Sequence, residues 1–333
     1  MSFRALTWAG PVAAGVAAFW LAAGEPEVAE LVREADGEVW LTASAEAGAF
    51  YRIETSSDLR EWAALVTVRS TGSDQLFDVA ALRHDQRYYR AVLVAGEGVV
   101  TGDHLETEQG DAVLHPIGHA SVGVVWNEKT LYSDPSDLNG NGPRFADLPK
   151  GDVILVTHTH GDHFAVSRLN QLVTPETVLF APQSVFNGLP TTNVPGQNFT
   201  LRSRTTVLAN GATGTAHGFE VQAIAMYNLS NSNHPQGVGN GYVVRLGGKR
   251  LYFSGDTEDI PEMRALESID VAFVCMSLPS NMTVDAAASA VRAFRPGIVF
   301  PYHFRQSVLF DTQRFKNLVG TDLGIEVRQR AWY

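Results

Sequence analysis

The sequence predicts an α/β domain preceded by a small β-sandwich, and three observations predict it. From residue 111 to the C terminus, ten short runs rich in β-branched and aromatic residues are interrupted by helical patterns. From residue 37 to 100, five such runs alternate with turn residues and no helical pattern intervenes. The 333 residues, 45% hydrophobic and 18% charged, have the composition of a globular protein and the length for two cores.

The chain opens with Arg4 and an apolar stretch reaching Gly24. A basic start, an apolar middle and the small residues Ala22 and Ala23 fit a secretory signal. The stretch also approaches the length that spans a bilayer. Residues 1–24 are therefore expected to be a cleaved signal or a retained membrane anchor, with the protein exported to a periplasmic or extracellular site. The acidic residues that follow make 25–36 a solvated linker.

Strands are expected at 38–43, 50–55, 63–68, 75–79 and 87–94, separated by turns such as Ser56-Ser57-Asp58 and Gly72-Ser73-Asp74. Tyr51 to Leu59, Trp62 and the closing Arg87-Tyr88-Tyr89-Arg90 resemble the immunoglobulin-like or fibronectin-like modules appended to secreted bacterial proteins. In the second domain, strands are expected at 112–116, 122–126, 130–133, 152–156, 177–180, 219–225, 241–246, 250–253, 271–275 and 297–301. One helix begins near Phe164 and runs through Leu172. Another is capped by Thr283, carries Val284, Ala287, Ala288, Val291 and Phe294 at helical spacing, and stops at Pro296-Gly297. Residues 187–198, rich in Gly, Pro, Asn and Thr, read as a loop.

The net charge of −11, with no cluster of lysine or arginine, argues against nucleic acid as a partner. A small molecule is the expected substrate, and a membrane enters only through the N-terminal stretch. The single cysteine, Cys275, lies in an apolar run and reads as a core residue.

The chemistry concentrates in Thr157-His158-Thr159-His160-Gly161-Asp162-His163, directly after the apolar run Val153 to Val156. Residues two apart in an extended segment share a face, so His158 and His160 can ligate one ion together. Gly161 permits a tight turn that swings Asp162 and His163 toward a second ion. Imidazole and carboxylate suit zinc, and also iron or manganese. Asp134, Asp256 and His303 likewise follow apolar runs that end in turns.

His-x-His-x-Asp-His after an apolar strand resembles the signature of the metallo-β-lactamase superfamily. Ile117-Gly118-His119-Ala120-Ser121, Ser133-Asp134-Pro135, Tyr252 to Thr257 and Pro301-Tyr302-His303-Phe304 are similar to its other segments. The likeness covers about 220 residues and is nearest the branch of the ascorbate-6-phosphate lactonases. It implies an αββα sandwich and a hydrolase carrying two divalent ions, zinc first, with manganese or iron as alternatives. It implies that His158 and His160 hold one ion, that Asp162, His163 and His303 hold the other, and that Asp256 bridges them. Asp162 is the implied catalytic residue. The family supplies a third histidine to the first ion from between the first motif and the bridging aspartate. Only His217 and His234 lie there, and His217 precedes its strand, so His234 is expected. His119 is expected to line the pocket or orient Asp134. Tyr302 and Arg305 are candidates for the pocket wall. A lactone or other ester is the first substrate class implied. Phosphodiesters including phospholipids, β-lactams, a mononuclear-iron sulfur dioxygenase and a non-catalytic binding protein are the alternatives.

Overall fold

The computed structural model describes residues 6–7, 25–33, 39–78, 86–95, 98–138, 142–146, 148–304 and 309–330. The expected signal or anchor thus lies outside the described residues, apart from a two-residue strand β1 (Leu6–Thr7). Among the described residues no helix is long and apolar enough to cross a membrane. The chain divides into two compact units. One holds Met1–Glu106 and Asp111–His115, the other Thr107–Gly110 and Pro116–Tyr333.

The first unit is all β. Strands β2 (Glu27–Arg33), β3 (Val39–Ser44) and β6 (Ser73–Asp78) form an antiparallel sheet in the order β2–β3–β6. A second sheet runs β1–β7–β4–β5–β8–β9 through β4 (Phe50–Ser56), β5 (Ala63–Arg69), β7 (Tyr88–Leu93), β8 (Gly102–Leu105) and the start of β9 (Ala112–Gly118), whose residues from Pro116 on belong to the second unit. In β3 the period of two is plain: Val39, Leu41 and Ala43 are buried, while Trp40 between them is exposed. They pack with Tyr51, Ile53, Leu65, Val66 and Tyr89 of the other sheet. Strand β2 corrects the expected linker. Val28 and Leu31 pack on this core, and the run pairs with β3 through a bulge between Val28 and Glu30. Its charged residues hid a strand whose outer side faces water.

Glu54 is buried between Arg52 and Arg90, accepting at 2.7 Å from the Nε of Arg90. Burial alone would raise its pKa, but the two guanidinium groups outweigh burial and hold it below the usual 4.5. A depressed carboxylate stabilises the fold above its unfolded pKa, and that stabilisation fades as pH falls through the folded value. Wild type is therefore expected to lose more melting temperature between pH 7 and pH 3.5 than Glu54→Gln. Equal losses in thermal melts would remove Glu54 as the cause.

The second unit has two mixed sheets with helices outside them. In the first, β10 (Ser121–Trp126) pairs antiparallel with β11 (Lys129–Ser133). Parallel strands β12 (Val153–Leu155), β13 (Val178–Ala181) and β14 (Thr205–Val207) follow. In the other, β15 (Thr213–Ala216), β16 (Phe219–Met226), β17 (Gly239–Leu246) and β18 (Lys249–Phe253) are antiparallel. Strands β19 (Val271–Cys275), β20 (Ile298–Tyr302) and β21 (Glu326–Val327) then continue in parallel. Every side chain of β12 and β19 is buried, as expected of parallel strands covered on both faces. Tyr242 of β17 crosses between the sheets, its hydroxyl lying 2.9 Å from the carbonyl of Val156.

Helices α1 (Val166–Leu172) and α2 (Gln183–Gly188) place Leu169, Leu172 and Val185 against Ile154 and Leu179 of the first sheet. On the other side lie α3 (Pro261–Arg264), α4 (Val284–Phe294) and α5 (Leu309–Val319). As expected, Thr283 caps α4, its hydroxyl accepting from the Ala286 N–H at 3.1 Å. The buried stripe Val284, Ala287, Ala288, Val291 and Phe294 faces the sheet, with Phe294 edge-on to Tyr252. Val291 and Phe294 each contribute about 1.5–3 kcal/mol by leaving water. The sequence reading passed over β8, β14, β15, β21, α2, α3 and α5. Cys275 is buried, and burial pushes its thiol up to about 12.

Candidate metal centre

The centre gathers at the C-terminal ends of β9, β11, β12, β18 and β20, the edge where layered α/β folds place their sites. Three of its residues turn the chain with a left-handed backbone. They are His119 after β9 (φ 53°), Asp134 after β11 (φ 46°) and His303 after β20 (φ 49°). Non-glycine residues held there cost on the order of 1–3 kcal/mol each and concentrate at functional sites. The backbone N–H of His303 donates to the carbonyl of His119 at 2.9 Å, which ties two of these turns together. Gly255 before Asp256 also has positive φ (60°), and a Cβ there would lie 2.6 Å from the Met226 sulfur. Its N–H donates to the buried Tyr302 hydroxyl at 3.0 Å. Tyr302 thus supports the turn that presents Asp256.

Two sets of ligand atoms result. His158 Nε2 lies 3.0 Å from His160 Nδ1, and His234 Nε2 lies 3.2 Å from the same atom. In the second set, Asp162 Oδ2 lies 3.0 Å from His119 Nε2, 3.4 Å from His303 Nε2 and 3.8 Å from His163 Nε2. Asp256 stands between the sets. Its Oδ1 lies 3.4 Å from His163 Nε2 and 3.2 Å from His303 Nε2, while its Oδ2 lies 3.4 Å from His234 Nε2.

These spacings fit bound ions. Zinc–nitrogen bonds of about 2.0–2.1 Å in a tetrahedron set ligand atoms roughly 3.3 Å apart. His163 Nε2, His303 Nε2 and Asp256 Oδ1 are buried, face one another and have no hydrogen-bond partner. Buried polar atoms left so are costly, and a cation at their centre satisfies all three.

The surroundings set tautomers. Asp134 is fully buried and accepts from the Thr157 N–H, the Thr157 hydroxyl and His163 Nδ1, each at 2.7 Å. With its proton on Nδ1, His163 presents the Nε2 lone pair to the centre. The Thr157 hydroxyl also meets His158 Nδ1 at 3.0 Å, directing His158 Nε2 inward. The Asn281 amide meets His303 Nδ1 at 3.4 Å. Burial, then the neighbouring His163, holds His158 well below the usual histidine pKa. Burial also pulls on His163, but the Asp256 and Asp134 carboxylates carry it well above that range. Burial alone would raise Asp162 and Asp256. For Asp162 the hydrogen bond of His119 and the nearby His303 and His163 rings, and for Asp256 the charges of His303 and His163, hold the carboxyl far below the carboxylate range. The cluster thus favours charged carboxylates gripped by whatever positive charge sits among them.

The structure brings together His158, His160, Asp162, His163, His234, Asp256 and His303. His119 faces Asp162, its Nε2 3.0 Å from Oδ2, which puts it beside the centre. Tyr302 is a buried support and not a pocket wall. Arg305 lies outside the described residues. Thr157 and Asn281 were missed. Thr157, the last residue before His158, carried a readable signal, and Asn281 carried none. His217 is remote from the centre, with Nε2 2.8 Å from the Glu176 carbonyl. His234→Ala is expected to lower the metal content of purified protein, and His217→Ala to leave it unchanged. Elemental analysis of both variants checks this, and the reverse order would refute the assignment.

A model of the β-lactamase superfamily domain matches residues 114–303. A UPF0173 metal-dependent hydrolase of Pyrococcus abyssi is 30% identical over 219 residues, covering 61% of this chain and 90% of the relative. A crystal structure from Parabacteroides distasonis, of a protein designated a metal-dependent hydrolase, superposes with a TM-score of 0.60 at 31% identity. The match covers 71% of this chain and 100% of that one. Igni18, a metallo hydrolase of Ignicoccus hospitalis, shares the fold at 20% identity and a TM-score of 0.52, over 65% of this chain and 94% of its own. Fold and site together define a metal-binding domain of two mixed sheets. The chain belongs to the metallo-β-lactamase superfamily.

Proposed function

We propose that this metal-dependent hydrolase of the metallo-β-lactamase superfamily binds two divalent ions, zinc by preference, and cleaves a lactone or other ester. The observation that carries the reading is Asp256, whose two oxygens face different histidine sets. Ions held in the two sets would acidify a water toward neutrality and polarise the substrate oxygen. Asp162 is the most open carboxylate of the centre, its side chain 29% exposed where that of Asp256 is 3%. In this reading it takes the proton of the attacking water and returns it to the leaving alkoxide. His119 holds Asp162 Oδ2 at 3.0 Å and keeps the carboxylate aimed at the substrate. Asp134 and Thr157 lock the rings of His163 and His158, so reaction requires little rearrangement of the protein. The net charge of −11 favours a neutral ester over a polyanion, and the likeness to lactonases makes a lactone the first compound to try.

The test is chelation, reconstitution with zinc, manganese or iron, and assay on lactone, ester, phosphodiester and β-lactam reporters. Metal-dependent turnover of lactone or ester is expected. Turnover of the phosphodiester or β-lactam alone would replace the substrate class. Oxygen consumption by the iron form, with no hydrolysis at all, would overturn the hydrolase reading.

A further inference from the structure

We infer that the centre selects substrates carrying an apolar chain beside the scissile ester, bound by a rim of Leu138, Leu229, Val238 and Leu278; this rests on the hydrolase reading above. Single exposed apolar residues are ordinary on protein surfaces. Here their placement is not scattered. Among the described residues of the second unit, six large apolar side chains are exposed, and Val207 and Leu318 are the two outside this set. The other four lie on the loops that carry or support the ligands, with Leu229 60% and Leu278 56% exposed.

Each of the four is tied to a ligand or its neighbour. Leu138 covers the turn between His160 and Asp162: a Cβ on Gly161 would lie 3.3 Å from its Cδ1, and Ser136 Oγ donates to the Gly161 carbonyl at 2.7 Å. Leu229 follows Asn228, whose backbone N–H donates to the His234 carbonyl at 2.8 Å. Its own N–H donates to Glu258, two residues beyond Asp256, at 2.8 Å. Val238 lies two residues before Asn240, whose N–H donates to the carbonyl of Thr157 at 2.9 Å. Leu278 follows Ser277, whose N–H donates to Asn281, and Asn281 meets His303. The Asn228 amide donates to the Ser280 carbonyl at 2.7 Å, joining the Leu229 and Leu278 loops. Exposed apolar side chains thus stand on the loops that meet around one polar centre. Small-molecule sites are built this way, with apolar walls around a few polar groups.

The test uses zinc-reconstituted protein and 4-nitrophenyl acetate, butyrate and octanoate, all below micellar concentration. The ratio kcat/KM is expected to rise about 2- to 4-fold per added methylene. The double variant Leu229→Ser, Leu278→Ser is expected to flatten that rise, and Leu318→Ser on α5 to keep it. Calorimetric titration with octanamide should show the same loss without depending on turnover. A flat chain-length profile, a rise untouched by the double variant, or a rise present only with micelles would overturn the inference. If no ester is hydrolysed while octanamide binds wild type and not the double variant, the apolar rim stands and the ester reading falls.

Discussion

Asp256→Ala is expected to lower kcat/KM by about 10³-fold or more, on the order of 4 kcal/mol of transition-state stabilisation. Metal content should fall with it. Among the described residues no other carboxylate presents one oxygen to His163 and His303 and the second to His234. Without it, both histidine sets lose an anionic ligand, and the negative charge that offsets clustered cations disappears from a fully buried position. Asp256→Asn keeps the shape and removes the charge, so it separates loss of ligation from loss of fold. Metal analysis with circular dichroism reads both. A folded variant retaining full metal and full turnover would remove Asp256 from the centre.

Asp134→Ala is expected to act through stability first and metal second. Asp134 lies behind the ligands, its side chain fully buried, with three donors at 2.7 Å. Removing it strands the Thr157 N–H and leaves His163 without its partner. Breaking such a buried charged contact costs about 3–5 kcal/mol. Freeing a ligating imidazole from its orienting carboxylate costs about 10- to 100-fold in metal affinity or activity. Asp134→Asn preserves volume and at most one acceptor, so it should melt higher than the alanine variant while still binding metal more weakly than wild type. Thermal melts and metal titrations of the pair decide it. Wild-type metal affinity in Asp134→Asn would show that the carboxylate does not set the ring of His163.

Much of this arrangement was legible in the sequence, because one strand end carries four of the candidate ligands within six residues, His158 to His163. Position relative to a strand also separated His234 from His217, since the end of a strand at which a residue sits decides which edge of the sheet it reaches. What could not be read was the contact between turns of different strands. Nothing near His119 in sequence names Asp162, 43 residues away, as its partner. Asn281 reaches His303 only because β19 and β20 are neighbours. Among the elements, β19 and α4 were plain from a continuous apolar run and a capped apolar stripe. The helix α2, six residues ending at Gly188, is too short to show a period. The helix α5 interrupts its apolar residues with Asp311, Arg314 and Lys316, and Arg314 pairs with Asp285 of α4 at 2.7 Å.

Strand β2 has a consequence for how this protein behaves at high concentration. It lies at the border of its sheet, where unpaired backbone groups would otherwise offer a template for a strand from a second molecule. The bulge between Val28 and Glu30 interrupts the regular spacing of those groups, and Glu30 and Arg33 stand exposed along it. A neighbour aligning there meets an irregular ladder and charges that must shed their water, so intermolecular sheet growth is discouraged at this border.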